Sequence, residues 1–368
     1  WGLTHTGDDY VAIFDADFCP PPDFLRRTIP HFLTRPRLGF VQTRWTHLNA
    51  DYSPLTRAQA LAIDGHFIVE QTGRNRGGLL TSFNGAGGVW RRRCIEEAGG
   101  WQADTLCEDL DLSYRAQLAG WDALYLPEVE TPAELPPQLA ALKRQQSRWA
   151  QGSVQTLRKL AVPILRSRRL SGAQKVMGLL HLSTYLAHPL MILAFLLLLP
   201  ILVLPGAAAF PLDHIGWLGL GPLAVIGVSQ WSARGGQRGR LEALPLLILI
   251  GVGIAWNNTR AVLRGLTCWG GDFARTPKFR LEGCVGGWAG SDYRLGADAT
   301  TTGELALALY ALATALAAHR IGHAELTPYM LIYTAAFGTV AGLSIAQARA
   351  PRPTVRGASP TGRRLALP

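Results

Sequence analysis

Residues 190–212 run for roughly 23 positions without one charged side chain. A helix needs about 20 mostly apolar residues to cross the hydrocarbon core of a bilayer. That stretch restricts the chain to folds that include a membrane sector. Residues 215–231 are just long enough for a second crossing, whereas the apolar run at 243–256 is only about 14 residues and fits an interfacial or re-entrant helix better. Charge supports this count. With two crossings, the basic stretches at 234–240 and 260–280 both stay on the cytoplasmic side; a third crossing would put the second stretch outside. Residues 305–318, marginal in length, and 328–346 then form a second hairpin. The expected sector has four spans, with residues 171–186 lying in the interface.

The first half of the chain is different. Although 48% of all residues are hydrophobic and only 17% charged, most of the acidic side chains come no later than Glu134. Tyr10-Val11-Ala12-Ile13-Phe14 is short, apolar and partly β-branched, the pattern of a central strand. Asp23, after three prolines, is placed to cap the next helix. Residues 38–45 suggest a second strand, 56–71 a helix, and Phe83 to Trp90 a glycine-rich turn entering a strand. Residues 108–119 form a short helix in which Asp111 can pair with Arg115, and a polar helix follows Pro136 and Pro137 through Lys159. Strands alternating with helices imply a mixed α/β domain. The expected division is 1–165 for this domain, 166–348 for the membrane sector and 349–368 for a basic tail.

The net charge of +10 does not indicate nucleic acid, because the basic residues flank apolar segments as cytoplasmic loops do. Cys19, Cys94, Cys107, Cys268 and Cys284 are scattered and form neither a zinc motif nor a disulfide framework. Because a buried-type strand follows Trp1 almost at once, the sequence reads as a piece beginning inside a domain.

Three polar strings carry candidate chemistry. Asp15 and Asp17, two apart at a strand end, share a face and offer two hard oxygens to magnesium or manganese; alternatively they are solvated acids in a turn. Glu108-Asp109 at a helix start either complements the helix dipole or provides a general base. In Gln145-x-x-Arg148-Trp149, the arginine and tryptophan are either membrane-interface residues or a phosphate clamp and a sugar-stacking face. Asn84-Gly85-Ala86-Gly87-Gly88 lacks the Lys-Ser/Thr of a P-loop, which excludes a nucleoside triphosphatase of that type.

The order Phe14-Asp15-Ala16-Asp17, Phe83-Asn84-Gly85, Glu108-Asp109 and Gln145-x-x-Arg148-Trp149 resembles the processive branch of glycosyltransferase family 2. Residues 83–90, 96–101, 108–115 and 145–149 are most similar to cellulose-synthase-like glucan or mannan synthases. Phe273-Ala274-Arg275-Thr276-Pro277-Lys278-Phe279 resembles that family's gating loop, here near residues 272–280.

The resemblance implies the C-terminal part of a GT-A type nucleotide-sugar glycosyltransferase domain followed by a helical transmembrane sector. It implies that Asp15 contacts the nucleotide diphosphate, Asp17 holds Mg2+ or Mn2+, and Asp109 deprotonates the acceptor for an inverting displacement. Gln145, Arg148, Thr276 and Lys278 would hold the diphosphate, while Trp149, Phe83, Asn84, Gly85 and Glu108 would meet the acceptor. The donor would be UDP-glucose or GDP-mannose, the product a β-linked polysaccharide with export across the bilayer, and the setting a bacterial inner membrane with the catalytic domain cytoplasmic. Cys107 and Ala86 depart from the family pattern. The family's first strand, base-binding Asp and substrate-binding Lys motif would lie upstream of residue 1, so activity is expected of the longer protein.

Three other readings are a single-sugar lipid glucosyltransferase of the ceramide type, a transporter with a regulatory domain, and a non-catalytic subunit. The transporter predicts ionisable residues inside the spans, which hold almost none.

Overall fold

The computed structural model describes residues 2–204, 220–233 and 240–350. A short helix α1 (Gly2–His5) precedes strand β1 (Tyr10–Ile13), and α2 (Phe24–Thr34) leads into β2 (Leu38–His47). A helix α3 (Pro54–Asp64), a π-helical turn (Gly65–Gln71) and α4 (Thr72–Arg76) follow one another without a break. Then come β3 (Gly88–Arg91), α5 (Arg92–Glu97), α6 (Glu108–Leu118), β4 (Asp122–Ala133) and the 28-residue α7 (Leu139–Arg166).

The four strands pair in the order β1-β3-β2-β4, with β2 parallel to β4 and the other pairs antiparallel. The central strand is β2, not the expected Tyr10 run. Leu38, Phe40 and Val41 are fully buried, whereas β1 lies at the edge of the described sheet with only partly covered side chains. Phe40 and Val41 point to opposite faces, as strand geometry requires. Phe40 joins Phe83, Trp90, Leu112 and Trp121. Val41 joins Phe24, Phe32 and Val129. Each large side chain contributes roughly 2–3 kcal/mol over its exposed state. At the other edge, β4 carries Pro127 and Pro132, which an edge strand tolerates because no neighbour needs their missing N–H. Asp23 does not cap α2 with its side chain. Ser53 caps α3 in a box closed by Thr56.

After α7 come α8 (Gly172–Leu182), α9 (Ala187–Val203), α10 (Leu220–Ser232), α11 (Leu244–Gly253), α12 (Ala255–Thr267), α13 (Thr301–Ile321) and α14 (Thr327–Arg349). Three stretches are long and apolar enough to cross a membrane: Thr184–Val203, Thr301–Ile321 and Ala324–Arg349. The 243–256 run falls on α11 and the start of α12, which meet at a 43° bend and together meet the same length and composition test as one broken span or a re-entrant loop. The end of the 190–212 run, the start of the 215–231 run, most of the basic 234–240 stretch and the tail beyond 350 lie outside the described residues.

The sheet-bearing part and the apolar helices are joined by packing and by buried charge. α7 packs on α12, and Leu55, Ala58 and Leu61 of α3 share a core with Leu139, Ile250 and Val340. At this junction Lys143 of α7, fully buried, sits 2.7 Å from Glu304 of α13 and 2.9 Å from Asp298. Arg240, one residue past the undescribed stretch, reaches back to Asp64 of α3 at 2.9 Å.

Candidate active site

β1 ends at Ile13, and the acidic pair falls in the turn that follows, where the Phe18 N–H donates to the Asp15 carbonyl at 3.0 Å. The two acids therefore part company instead of sharing a strand face. Asp15 lines a cavity of about 130 Å³. Asp17 turns away from it, its side chain only 8% exposed, and accepts the Glu134 backbone N–H at 3.0 Å and the Lys278 ammonium at 2.6 Å. Burial, then the neighbouring Asp17 charge, raises the Asp15 carboxyl above its ordinary value.

Glu134 follows β4 directly and holds the loop around residues 272–280. Its carboxylate accepts the backbone N–H groups of Phe279 at 2.9 Å and Arg280 at 3.0 Å. α7 holds the same loop from the other side. Arg148 donates to the Ala274 carbonyl at 3.1 Å and lies over the Phe273 ring at 4.5 Å, and the Gln151 and Gln155 amides donate to the Gly270 carbonyl.

Glu108 and Asp109 form the first turn of α6 and face the cavity. Burial, then repulsion from Glu108, pushes the Asp109 carboxyl up to about 7, which poises it to take or give a proton near neutral pH. Glu108 is also raised, first by burial. Gly85 stands opposite with φ +86°; a Cβ there would come within 3.2 Å of Asp109 Oδ2. Asn84 beside it is fixed by Gln71, which donates at 2.7 Å, and by His66 at 3.0 Å, itself 2.9 Å from Glu70. His66, Glu70 and Gln71 all belong to the π-helical turn. Such turns often occur at functional sites.

The approach of α7 to α6 depends on Gly152. A Cβ there would lie 2.5 Å from both the backbone nitrogen and the Sγ of Cys107. Cys107 is thus a packing group under the Arg148–Trp149 turn, and burial drives its thiol well above the ordinary range.

Asp15, Asn84, Gly85, Glu108, Asp109, Gln145, Arg148, Trp149 and Lys278 line one cavity. Asp17, Phe83 and Thr276 do not. The Phe83 ring is wholly buried, edge-on to Phe40 and Trp90, because that side of the glycine-rich turn faces the core. Thr276 lies in the loop with its hydroxyl buried and without a partner among the described residues.

Residues 10–217 match the model of the glycosyl transferase family group 2. The chain belongs to that family. Its sheet and helices form a GT-A-like glycosyltransferase fold, followed by the apolar helices described above. It is similar to glucomannan 4-beta-mannosyltransferase 7 of Arabidopsis thaliana, at 41% identity over 216 residues, 56% of this chain and 39% of the relative. It is similar also to a probable glucomannan 4-beta-mannosyltransferase 4 of Oryza sativa subsp. japonica, at 35% identity over 261 residues, 70% of this chain and 46% of the relative. The chain thus spans less than half the length of these relatives. Both are plant proteins and give no support to the expected bacterial source. A solved mannosyltransferase from Pyrobaculum calidifontis, in complex with GDP-Man and Mn2+, aligns with 72% of this chain and 64% of its own at 20% identity and a TM-score of 0.40, too low to carry an argument.

Sequence reasoning passed over Glu134, Trp45 and Phe18. Glu134 follows a strand whose prolines hide it. Trp45 lines the cavity, donates to the Ala86 carbonyl at 2.9 Å and meets Phe18 edge-on. Its place at the end of the β2 run was the available signal.

Proposed function

We propose that this site transfers a hexose with inversion, mannose from GDP-mannose, to the end of a β-linked glycan at a membrane surface. The observation that carries the reading is one cavity lined by a base near neutrality (Asp109), a guanidinium and an ammonium (Arg148 and Lys278), and a flat aromatic face (Trp149). The names of the plant relatives support mannose as the sugar.

In this reading Asp109 takes the proton of the acceptor hydroxyl as its oxygen bonds to the anomeric carbon. The bond from that carbon to the diphosphate oxygen breaks, and the nucleoside diphosphate leaves with the electron pair. Arg148 and Lys278 stabilise the charge that gathers on it, and the unpartnered Thr276 hydroxyl is a further donor in the same loop. Trp149 holds the acceptor ring.

A divalent cation fits the Asp15–Asp17 turn. Burial, then repulsion from Asp17, raises Asp15, and Asp17 already draws an ammonium to itself. Among the described residues no group of three His, Cys, Asp or Glu is set to hold a metal, so the substrate's phosphates would have to complete the ligand set. Asp15, which faces the cavity, would hold the ion, with Asp17 joining on release of Lys278, and when bound it would neutralise charge on the departing diphosphate.

The test is radiolabelled transfer by membranes holding the full-length protein, given GDP-mannose or UDP-glucose, with product sizing and linkage-specific digestion. Polymer labelled from GDP-mannose is expected. A single sugar on lipid, or labelling from UDP-glucose alone, would overturn the reading.

A further inference from the structure

We propose that a second cavity, between α7 and α12, is a binding site for a phosphate-bearing anion. It is larger than the first, about 750 Å³, and four arginines line it. Arg144 and Arg148 are one turn apart on α7, and Arg260 and Arg264 one turn apart on α12. Like charges at that spacing repel, and a concave wall concentrates their field.

Among the described residues, no ion pair joins these four arginines to a carboxylate. Arg144 and Arg260 have no hydrogen bond or ion pair among the described residues, and Arg264 reaches only the Ser147 hydroxyl, at 3.3 Å. Of the two carboxylates in the lining, Asp298 is engaged by Lys143 at 2.9 Å and by Thr300, which leaves Asp272. Guanidinium groups from two helices facing one space suit a phosphate, whose oxygens accept their paired N–H donors. A merely solvated basic face would spread such groups over a convex surface.

Two sources of phosphate fit the position. The lining includes Thr300, at the mouth of the candidate span α13, where lipid headgroups lie and basic pockets capture anionic ones. It also includes Arg148 and Ala274, which border the first cavity and the loop across it, so a soluble pyrophosphate group can reach the site as well. The proposal does not rest on the transfer reaction and is tested without it.

The full-length protein, reconstituted in nanodiscs, is compared with an Arg144→Gln/Arg260→Gln/Arg264→Gln variant. All three side chains are exposed, and circular dichroism checks that the variant folds. One arm titrates inorganic pyrophosphate in phosphatidylcholine discs by calorimetry. The other measures retention of phosphatidylglycerol from mixed discs by native mass spectrometry. Arg148 is intact in both proteins, so binding in the first cavity cancels in the comparison.

The expected result is at least a tenfold loss of affinity in one arm. Loss for pyrophosphate alone marks a soluble ligand, and loss for the lipid alone marks a headgroup. Equal binding by both proteins in both arms overturns the proposal. If the triple variant does not fold, Arg260→Gln alone is expected to weaken binding at least threefold, and no change there is equally fatal.

Discussion

The Lys278 ammonium lies 2.6 Å from Asp17 Oδ2, across 261 residues of sequence. This contact fastens the loop at 272–280 onto the acidic turn, and Glu134 secures the next two backbone N–H groups. Lys278→Met is expected to raise the KM for the nucleotide sugar about tenfold, in line with loss of a charge-assisted hydrogen bond worth roughly 1.5–3 kcal/mol. Steady-state kinetics on the full-length protein checks it. An unchanged KM would remove Lys278 from donor binding.

Asp109 sets the expected pH dependence. A base must be ionised to accept a proton, and its carboxyl is pushed up to about 7 by burial and by Glu108. Transfer therefore rises as pH passes upward through about 7 and levels off above it. Asp109→Asn removes at least about 10² of the rate.

The same carboxyl predicts an opposite trend in stability. A carboxyl raised by folding favours the folded state when protonated, and that advantage is lost as pH climbs from the ordinary value of 3.8 through about 7. Asp109→Asn is therefore expected to melt higher than the wild type at pH 8, with the gap closing toward pH 5. A gap that does not change with pH would refute the raised carboxyl.

Much of the chain was legible in its sequence, and the reasons differ by element. The β2 run, the helix starting at Glu108 and the polar helix α7 show clear periodicity, and the polar strings mark the cavity from Asp15 to Trp149. The Asp111–Arg115 pair forms at 2.8 Å, as its spacing predicts. β4 was hidden by Pro127 and Pro132, and with it Glu134. The π-helical turn was hidden because one extra residue per turn leaves the apolar pattern of 56–71 looking like ordinary helix. Phe83 was misjudged because a motif gives no indication of which way its side chains point.

Gly152 sets how closely α7 meets α6, so Gly152→Ala tests that contact. The added methyl must displace Cys107, at a cost of about 1–3 kcal/mol for overpacking. Thermal unfolding should show the loss, and Gly152→Ser should be worse. A variant as stable as the wild type would mean that the two helices separate freely.

The buried ion pair between α7 and α13 is expected to respond asymmetrically. Lys143→Met leaves Glu304 charged and enclosed, costing about 3–5 kcal/mol. Adding Glu304→Leu should restore most of that, measured by denaturation in detergent. Equal losses for the single and double variants would show that the charge pairing is immaterial.

The long span of chain between Asp17 and Lys278 also imposes an order of events during synthesis. The acidic turn leaves the ribosome early. Its lysine emerges only after α9 to α12, the stretch that holds two of the candidate membrane segments. A chain stalled before residue 278 therefore carries the acidic turn without its latch.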